Sequence, residues 1–337
     1  MRPHLPPSPP RWKRRPLRLI LAAAGALLIG YLILLIGPEA IWSAFRTLSW
    51  RLIVVLVFPT CLVVVADTLA WRFTFPTPPR SFARLLGVRL AGEAVNLATP
   101  TASVGGDLVK AYLLRPAVPL REGLASVIVD KTTGVASQVL ALAAGLVVAA
   151  LLSTPTALLL LGAGALVLEI VCVVGFVAMQ LGGAIGGGGR LMAKLGLAPG
   201  PERQAALEGM DRALRMLYAE RGRALVISVV WHVLGFALGT IEIYLVVQFL
   251  GVPISPLAAF GIGALGTAVK FFTFMLPASL GALEGGNVAI FTAFGLGGAT
   301  GLTYTLVRRL REIVWIAGGF LASHLVSLPS SSVADRQ

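Results

Sequence analysis

Cysteine, histidine and charge are all scarce in this chain, and each shortage excludes something. The two cysteines, Cys61 and Cys172, sit inside apolar runs, so no disulfide framework is implied. Three scattered histidines give no zinc constellation, and no metal site is expected. Only 13% of the 337 residues are charged against 57% hydrophobic, too little charge to cover a soluble domain of this length. No nucleophile, base and orienting group share a readable spacing. Gly261-Ile262-Gly263-Ala264-Leu265-Gly266 matches a dinucleotide fingerprint, but it lies in an apolar run with no strand before it. Gly235-x-x-x-Gly239 reads as close helix packing. The sequence therefore predicts no cofactor and no catalytic residue.

What the chain has is long apolar runs of about 20 residues, the length that crosses a hydrocarbon core of roughly 30 Å. They predict an all-α polytopic membrane protein with about seven transmembrane helices. Unbroken spans fall near 17–37, 52–71, 123–151, 156–181, 224–250 and 303–327. Residues 17–327 form a single transmembrane domain on this reading, between a disordered basic tail (1–16) and a short tail (328–337). The first run is too long for a typical signal peptide and is read as a retained span.

The net charge of +13 is clustered. Arg2, Arg11, Lys13, Arg14, Arg15 and Arg18 flank the first run; Arg72, Arg80, Arg84 and Arg89 follow the second; further arginines crowd the central loop, 182–223. Such clusters mark cytoplasmic loops and place the N-terminus in the cytoplasm. They suit anionic headgroups, and no nucleic-acid partner is expected. The central loop begins with a flexible Gly182–Gly189 stretch. A helix near 202–222 follows, with Leu207, Met210, Leu214 and Leu217 on one face. That face meets either the bilayer surface or neighbouring loops.

Two segments are broken. Residues 81–121 are interrupted at Pro100 and Gly105-Gly106, and residues 257–300 at Pro277, Gly281 and Gly285-Gly286. Interrupted helices survive at membrane depth only where protein or a wet cavity satisfies the freed backbone groups. Two re-entrant hairpins, entering from opposite sides, are therefore predicted. Aligning Pro100 with Pro277 brings Gly123–Lys131 onto Gly301–Arg309 with a one-residue gap, the sign of an inverted repeat.

Ionisable residues inside a membrane are costly and commonly functional. The candidates for binding a lipid or other substrate are Glu93, Asn96, Asp107 and Lys110 in the first broken segment, then Asp130 and Lys131. Glu284 lies in the second broken segment beside Lys270, and Arg308, Arg309, Arg311 and Glu312 lie in the last span. Asp130 is expected to pair with Arg308 or Arg309 across the repeat interface. Arginine also suits a lipid phosphate, because its planar fork matches that group. The competing reading makes these residues structural ion pairs or snorkelling side chains. Glu169, Glu242 and His232 read as isolated residues with packing roles.

Gly92-Glu93-x-x-Asn96, Thr99-Pro100, Val104-Gly105-Gly106-Asp107-x-x-Lys110, Asp130-Lys131, Pro277, Gly281, Glu284-Gly285 and Arg308-Arg309-Leu310-Arg311-Glu312 form a set. Together they resemble the lysylphosphatidylglycerol synthase transmembrane family, across about residues 17–327. Position 107 is Asp where the resemblance implies Glu in many relatives, a conservative change. In that family the membrane region is the flippase part of larger proteins, whose cytoplasmic domain transfers lysine from charged tRNA to phosphatidylglycerol. The sequence ends soon after the last span, so the resemblance implies lipid translocation without synthesis, in a bacterial inner membrane. Stand-alone members are associated with hopanoid or glycolipid pathways, which leaves the lipid open and makes biosynthetic enzymes possible partners. Two other classes stay open: a membrane-embedded accessory or enzyme of lipid biosynthesis, and a coupled transporter of a soluble solute.

Overall fold

The computed structural model describes residues 48–98, 104–194, 200–273 and 282–326, together with Glu39, Trp42 and Arg46. The basic tail, the first expected span, the tips of both broken segments with Pro100, Pro277 and Gly281, and the C-terminal tail lie outside the described residues. Within them the chain is all-helical, with eleven helices. They are α1 (Arg51–Arg72), α2 (Phe82–Ala98), α3 (Val104–Leu114), α4 (Leu120–Leu151), α5 (Thr156–Leu181) and α6 (Ala184–Lys194), followed by α7 (Pro201–Glu220), α8 (Gly222–Phe249), α9 (Pro256–Thr273), α10 (Ala282–Ala293) and α11 (Gly298–Val326).

Proline and glycine set many of the boundaries. Pro119 and Pro155 stand immediately before α4 and α5, and Pro201 and Pro256 open α7 and α9, where a missing N–H costs nothing. α8 closes on Gly251 with φ +77°; its N–H donates to the Gln248 carbonyl, and Val252 N–H donates to Val247. That double closure needs a left-handed residue, which glycine supplies without strain.

Five of these helices, α1, α4, α5, α8 and α9, are long and apolar enough to cross a membrane. α4, with 32 residues, is about 48 Å long and outreaches the hydrocarbon core. α9 has the length of a crossing by itself, although the sequence reading made it half of a re-entrant hairpin. α11 is long enough at 29 residues but carries Arg308, Arg309, Arg311 and Glu312. α5 shows Leu160, Leu161, Val167, Val171, Val174 and Met179 at its surface, as a lipid-facing helix does.

The helices pack in a crossed pattern. α1 and α8 run antiparallel: a Cβ on Gly235 would meet Ala66 and Asp67, and one on Gly239 would meet Val63. In the first hairpin, α2 and α3, it is α2 that packs against α11; Gly319 lies on Leu90 and Ala94, and Gly87 on Val326. The helix that corresponds to α2 in the second half, α9, packs on α4 in the same antiparallel manner, with Gly145 on Ala264 and Gly261 on Val148. Each half thus lends its leading hairpin helix to the long closing helix of the other. The main core lies at this junction, where Leu52, Val55, Leu142, Val246, Ile262, Leu265, Phe291 and Val307 are buried together. Phe291 stacks on Tyr304 with ring centroids 5.4 Å apart.

The glycine-rich start of the central loop is a correction. It forms α6 rather than a flexible stretch. Asp211 on α7 accepts the N–H groups of Ile185 (3.3 Å) and Gly186 (2.8 Å), satisfying donors that the first turn leaves open. Side chains at Gly186 and Gly189 would collide with α7, so the glycines admit close packing. Leu214 and Leu217 of α7 are buried against Ala125 and Val129 of α4, which favours the packed reading of this helix.

Candidate functional site

A cavity of about 380 Å³ lies where α1, α2, α3 and α4 of the first half meet α8 and α9 of the second. Its wall holds four carboxylates, Asp67, Glu93, Asp107 and Asp130, four cations, Arg89, Lys110, Lys131 and Lys270, and His232. A second cavity, of about 400 Å³, lies at the loop end of α2 among Pro78, Arg80, Arg84, Pro119 and Glu122, away from these charges.

The first hairpin is what brings its own charges together. Its arms approach so closely that a Cβ on Gly106 would collide with the Gly92 carbonyl and the Asn96 side chain. Asn96 instead accepts the Gly106 N–H at 2.7 Å, tying the end of α2 to the start of α3. Across this contact the buried Lys110 ammonium reaches Glu93 at 2.5 Å and Asp107 at 3.3 Å. Asp107 also accepts from Lys131 of α4 at 2.6 Å. Glu93, Asp107 and Lys110 therefore join one network, to which Lys131 belongs, while Asn96 holds the backbone beside it.

Asp130 corrects the expected pairing. It meets Arg89, at 3.2 Å, and His232, at 3.1 Å, instead of Arg308 or Arg309. His232 reaches on through its other nitrogen to Asp67, at 2.8 Å, and Arg89 lies 3.5 Å from the same carboxylate. Arg89 further donates to the Asp67 main-chain carbonyl at 2.8 Å. Three residues missed or misassigned from sequence thus sit at the centre. Arg89 was grouped with loop charges yet is buried mid-helix in α2; His232 was read as isolated; Asp67 drew no notice. A lone acid inside the apolar run of α1 was the available signal.

The second half carries a matching cluster. Arg309 holds Glu284 of α10 through two nitrogens, at 3.0 and 3.1 Å, and Glu312 through a third at 3.1 Å. Arg308 lies 3.4 Å from Glu312. Arg311 pairs with Glu242 of α8, so Glu242 is not isolated either. Glu169 does stand apart, buried in α5 with both carboxylate oxygens unbonded among the described residues. Most of these ions are spent on one another. Lys270, exposed on the cavity wall, has no salt bridge within 4.0 Å among the described residues, and none of residues 99–103 or 274–281 is acidic. No group of three His, Cys, Asp or Glu among the described residues could hold a metal ion.

Comparison with known proteins agrees with this architecture. Residues 18–318 match the family described as the lysylphosphatidylglycerol synthase TM region. A UPF0104 membrane protein from Methanothermobacter thermautotrophicus is 25% identical over 94% of this chain and 97% of its own length. No solved structure matches. With nearly all of its helical bundle covered by that family, the chain is a membrane protein and belongs to the lysylphosphatidylglycerol synthase transmembrane-region family.

Proposed function

We propose that the cavity receives the polar headgroup of a membrane lipid and that the protein carries it between the two leaflets, in the inner membrane with the N-terminus cytoplasmic. The observation that carries this reading is a charged cavity walled by both halves among helices long and apolar enough to cross a membrane. Its 380 Å³ is at the small end of ligand sites of roughly 300–1,000 Å³, room for a headgroup while the acyl chains stay in lipid. Lys270 is the cation left for an anionic group, since the other cations are already paired. A site at the meeting of two crossed halves supports alternating exposure, in which one half rocks against the other. The family description supports a lipid over a soluble solute.

The test is reconstitution into vesicles containing tail-labelled phosphatidylglycerol, with dithionite quenching of the outer leaflet. Wild type is expected to make the inner-leaflet label quenchable, and Lys270→Gln to slow that at least about tenfold, the effect of losing roughly 1.4 kcal/mol of headgroup binding. Folded wild type that moves no lipid would sink the reading. New lipid products found by mass spectrometry would point to the biosynthetic alternative.

A further inference from the structure

We propose that His232 binds a proton that crosses together with an anionic headgroup, making the protein a proton–lipid co-transporter. This rests on the cavity being a headgroup site and adds the second ligand.

The argument starts from hydrogen-bond donors. Nδ1 of His232 lies 2.8 Å from an Asp67 oxygen and Nε2 lies 3.1 Å from an Asp130 oxygen. Ionised carboxylates only accept, and a neutral imidazole has a single N–H. A neutral ring between two carboxylates would turn a lone pair on one of them. The arrangement therefore holds one more proton than neutral histidine and two carboxylates supply, whichever atom carries it.

That proton ties three helices together: α8 to α1 through Asp67, and α8 to α4 through Asp130. α1 and α4 belong to the first half and α8 to the second, so the tie spans the two halves. The charges facing it are Asp67 on α1, Arg89 and Glu93 on α2, Asp107 and Lys110 on α3, Asp130 and Lys131 on α4, and Lys270 across the cavity on α9. α11 meets α8 further along, through Arg311 and Glu242, and Tyr218 of α7 bonds Gln180. Asp67 is one-quarter exposed on the cavity wall, so water in the cavity reaches the pair.

The charge balance sets the sign of the partner. The four carboxylates and four cations of the wall cancel, and His232 decides what remains. Protonated, the cavity carries one positive charge and suits a phosphodiester with one negative charge. Deprotonated, it is neutral, and one of the two ties opens. Proton and anionic headgroup thus favour each other's binding, and each enters from the water of one side and leaves to the other.

The test uses the same vesicles with a pH gradient of one unit, corrected for protein-free vesicles. Labelled phosphatidylglycerol is expected to accumulate in the leaflet facing the alkaline side, up to about tenfold, the limit for one proton per lipid. Nigericin should abolish the accumulation, and so should His232→Gln. Movement that equalises the leaflets whatever the gradient overturns the coupling and leaves translocation standing. No movement overturns translocation, and the coupling with it. Accumulation that persists in folded His232→Gln places the proton elsewhere and overturns the assignment.

A second measurement needs no variant. The chain has three histidines, so nitrogen NMR of labelled wild type can resolve His232. Both ring nitrogens should carry hydrogen at neutral pH, and lyso-phosphatidylglycerol should raise the pH at which one is lost. A neutral ring throughout, with a neutral carboxyl group absent from the infrared spectrum, overturns the proposal.

Discussion

Asp107 and Glu284 occupy the same place in the two halves of the chain. Each stands on the short second helix of a broken segment, and each is held by a cation of the long helix that follows. Lys131 reaches Asp107 at 2.6 Å, and Arg309 reaches Glu284 at 3.0 Å. The alignment of Pro100 with Pro277 brings these pairs into register, with its one-residue gap falling between acid and base. The two pairs differ in one respect: Arg309 is buried, whereas the Lys131 side chain is 38% exposed.

Arg309→Ala should therefore be the costlier loss. It strands Glu284 and leaves Glu312 with Arg308 alone, and is expected to cost about 3 kcal/mol, the low end for a buried pair because Glu284 is 27% exposed. Arg309→Ala with Glu284→Ala should recover part of that, because one orphaned charge goes too. Thermal unfolding in detergent measures both, and equal stability of single and double variants would remove the pair from the hairpin's support.

The first hairpin depends on its bare backbone contact. Gly106→Ala would drive a methyl group into the Gly92 carbonyl and the Asn96 side chain. An overpacking loss of about 1–3 kcal/mol is expected, together with loss of lipid movement, since the cavity wall shifts with it. Gly164→Ala in α5, where a Cβ meets nothing within 4 Å, should instead be neutral or stabilising by roughly 0.5–1 kcal/mol. Unfolding midpoints of the two variants moving together would refute the contrast.

The Arg311 and Glu242 pair tests whether charge in α11 serves packing or transport. Arg311→Met strands the buried Glu242 and should cost about 3–5 kcal/mol, whereas Glu242→Leu leaves the partly exposed Arg311 and should cost less. The double replacement is apolar on both sides and should be near neutral in stability. Lipid movement retained in the double variant assigns the pair to structure; movement lost from a stable double variant assigns it to transport.

Trp315 bridges α11 to α1 by donating its indole N–H to the Leu56 carbonyl at 2.8 Å. Trp315→Phe keeps most of the ring and removes the donor. A loss of about 0.5–1.5 kcal/mol, that of one hydrogen bond, is expected and read as a lower unfolding midpoint. An unchanged midpoint would mean that the indole bond adds nothing there.

Helices were largely legible from the chain because lipid makes run length a direct signal. The apolar spans near 52–71, 123–151, 156–181 and 224–250 match α1, α4, α5 and α8 within a few residues. The first acidic cluster was legible for the same reason, since Glu93, Asp107 and Lys110 fall within one broken segment. Partner choice was not. Asp130 could satisfy its charge with any buried cation, and only the antiparallel pairing of α1 with α8 puts His232 and Asp67 beside it. Arg89 misled because its neighbours Arg72, Arg80 and Arg84 do lie at the helix ends, and the count of positive charges does not tell a flank from a wall. The glycines of α6 misled because Asp211, which steadies that helix, sits on α7.

The crossed packing also has a consequence for how the protein is made. α2 rests on α11, the last described helix to leave the ribosome, and α9 rests on α4, which was completed long before it. The first half must therefore wait in the membrane with one flank uncovered and its buried arginine and lysine only partly enclosed. That flank closes only once the last described helix has been made and has packed along α2.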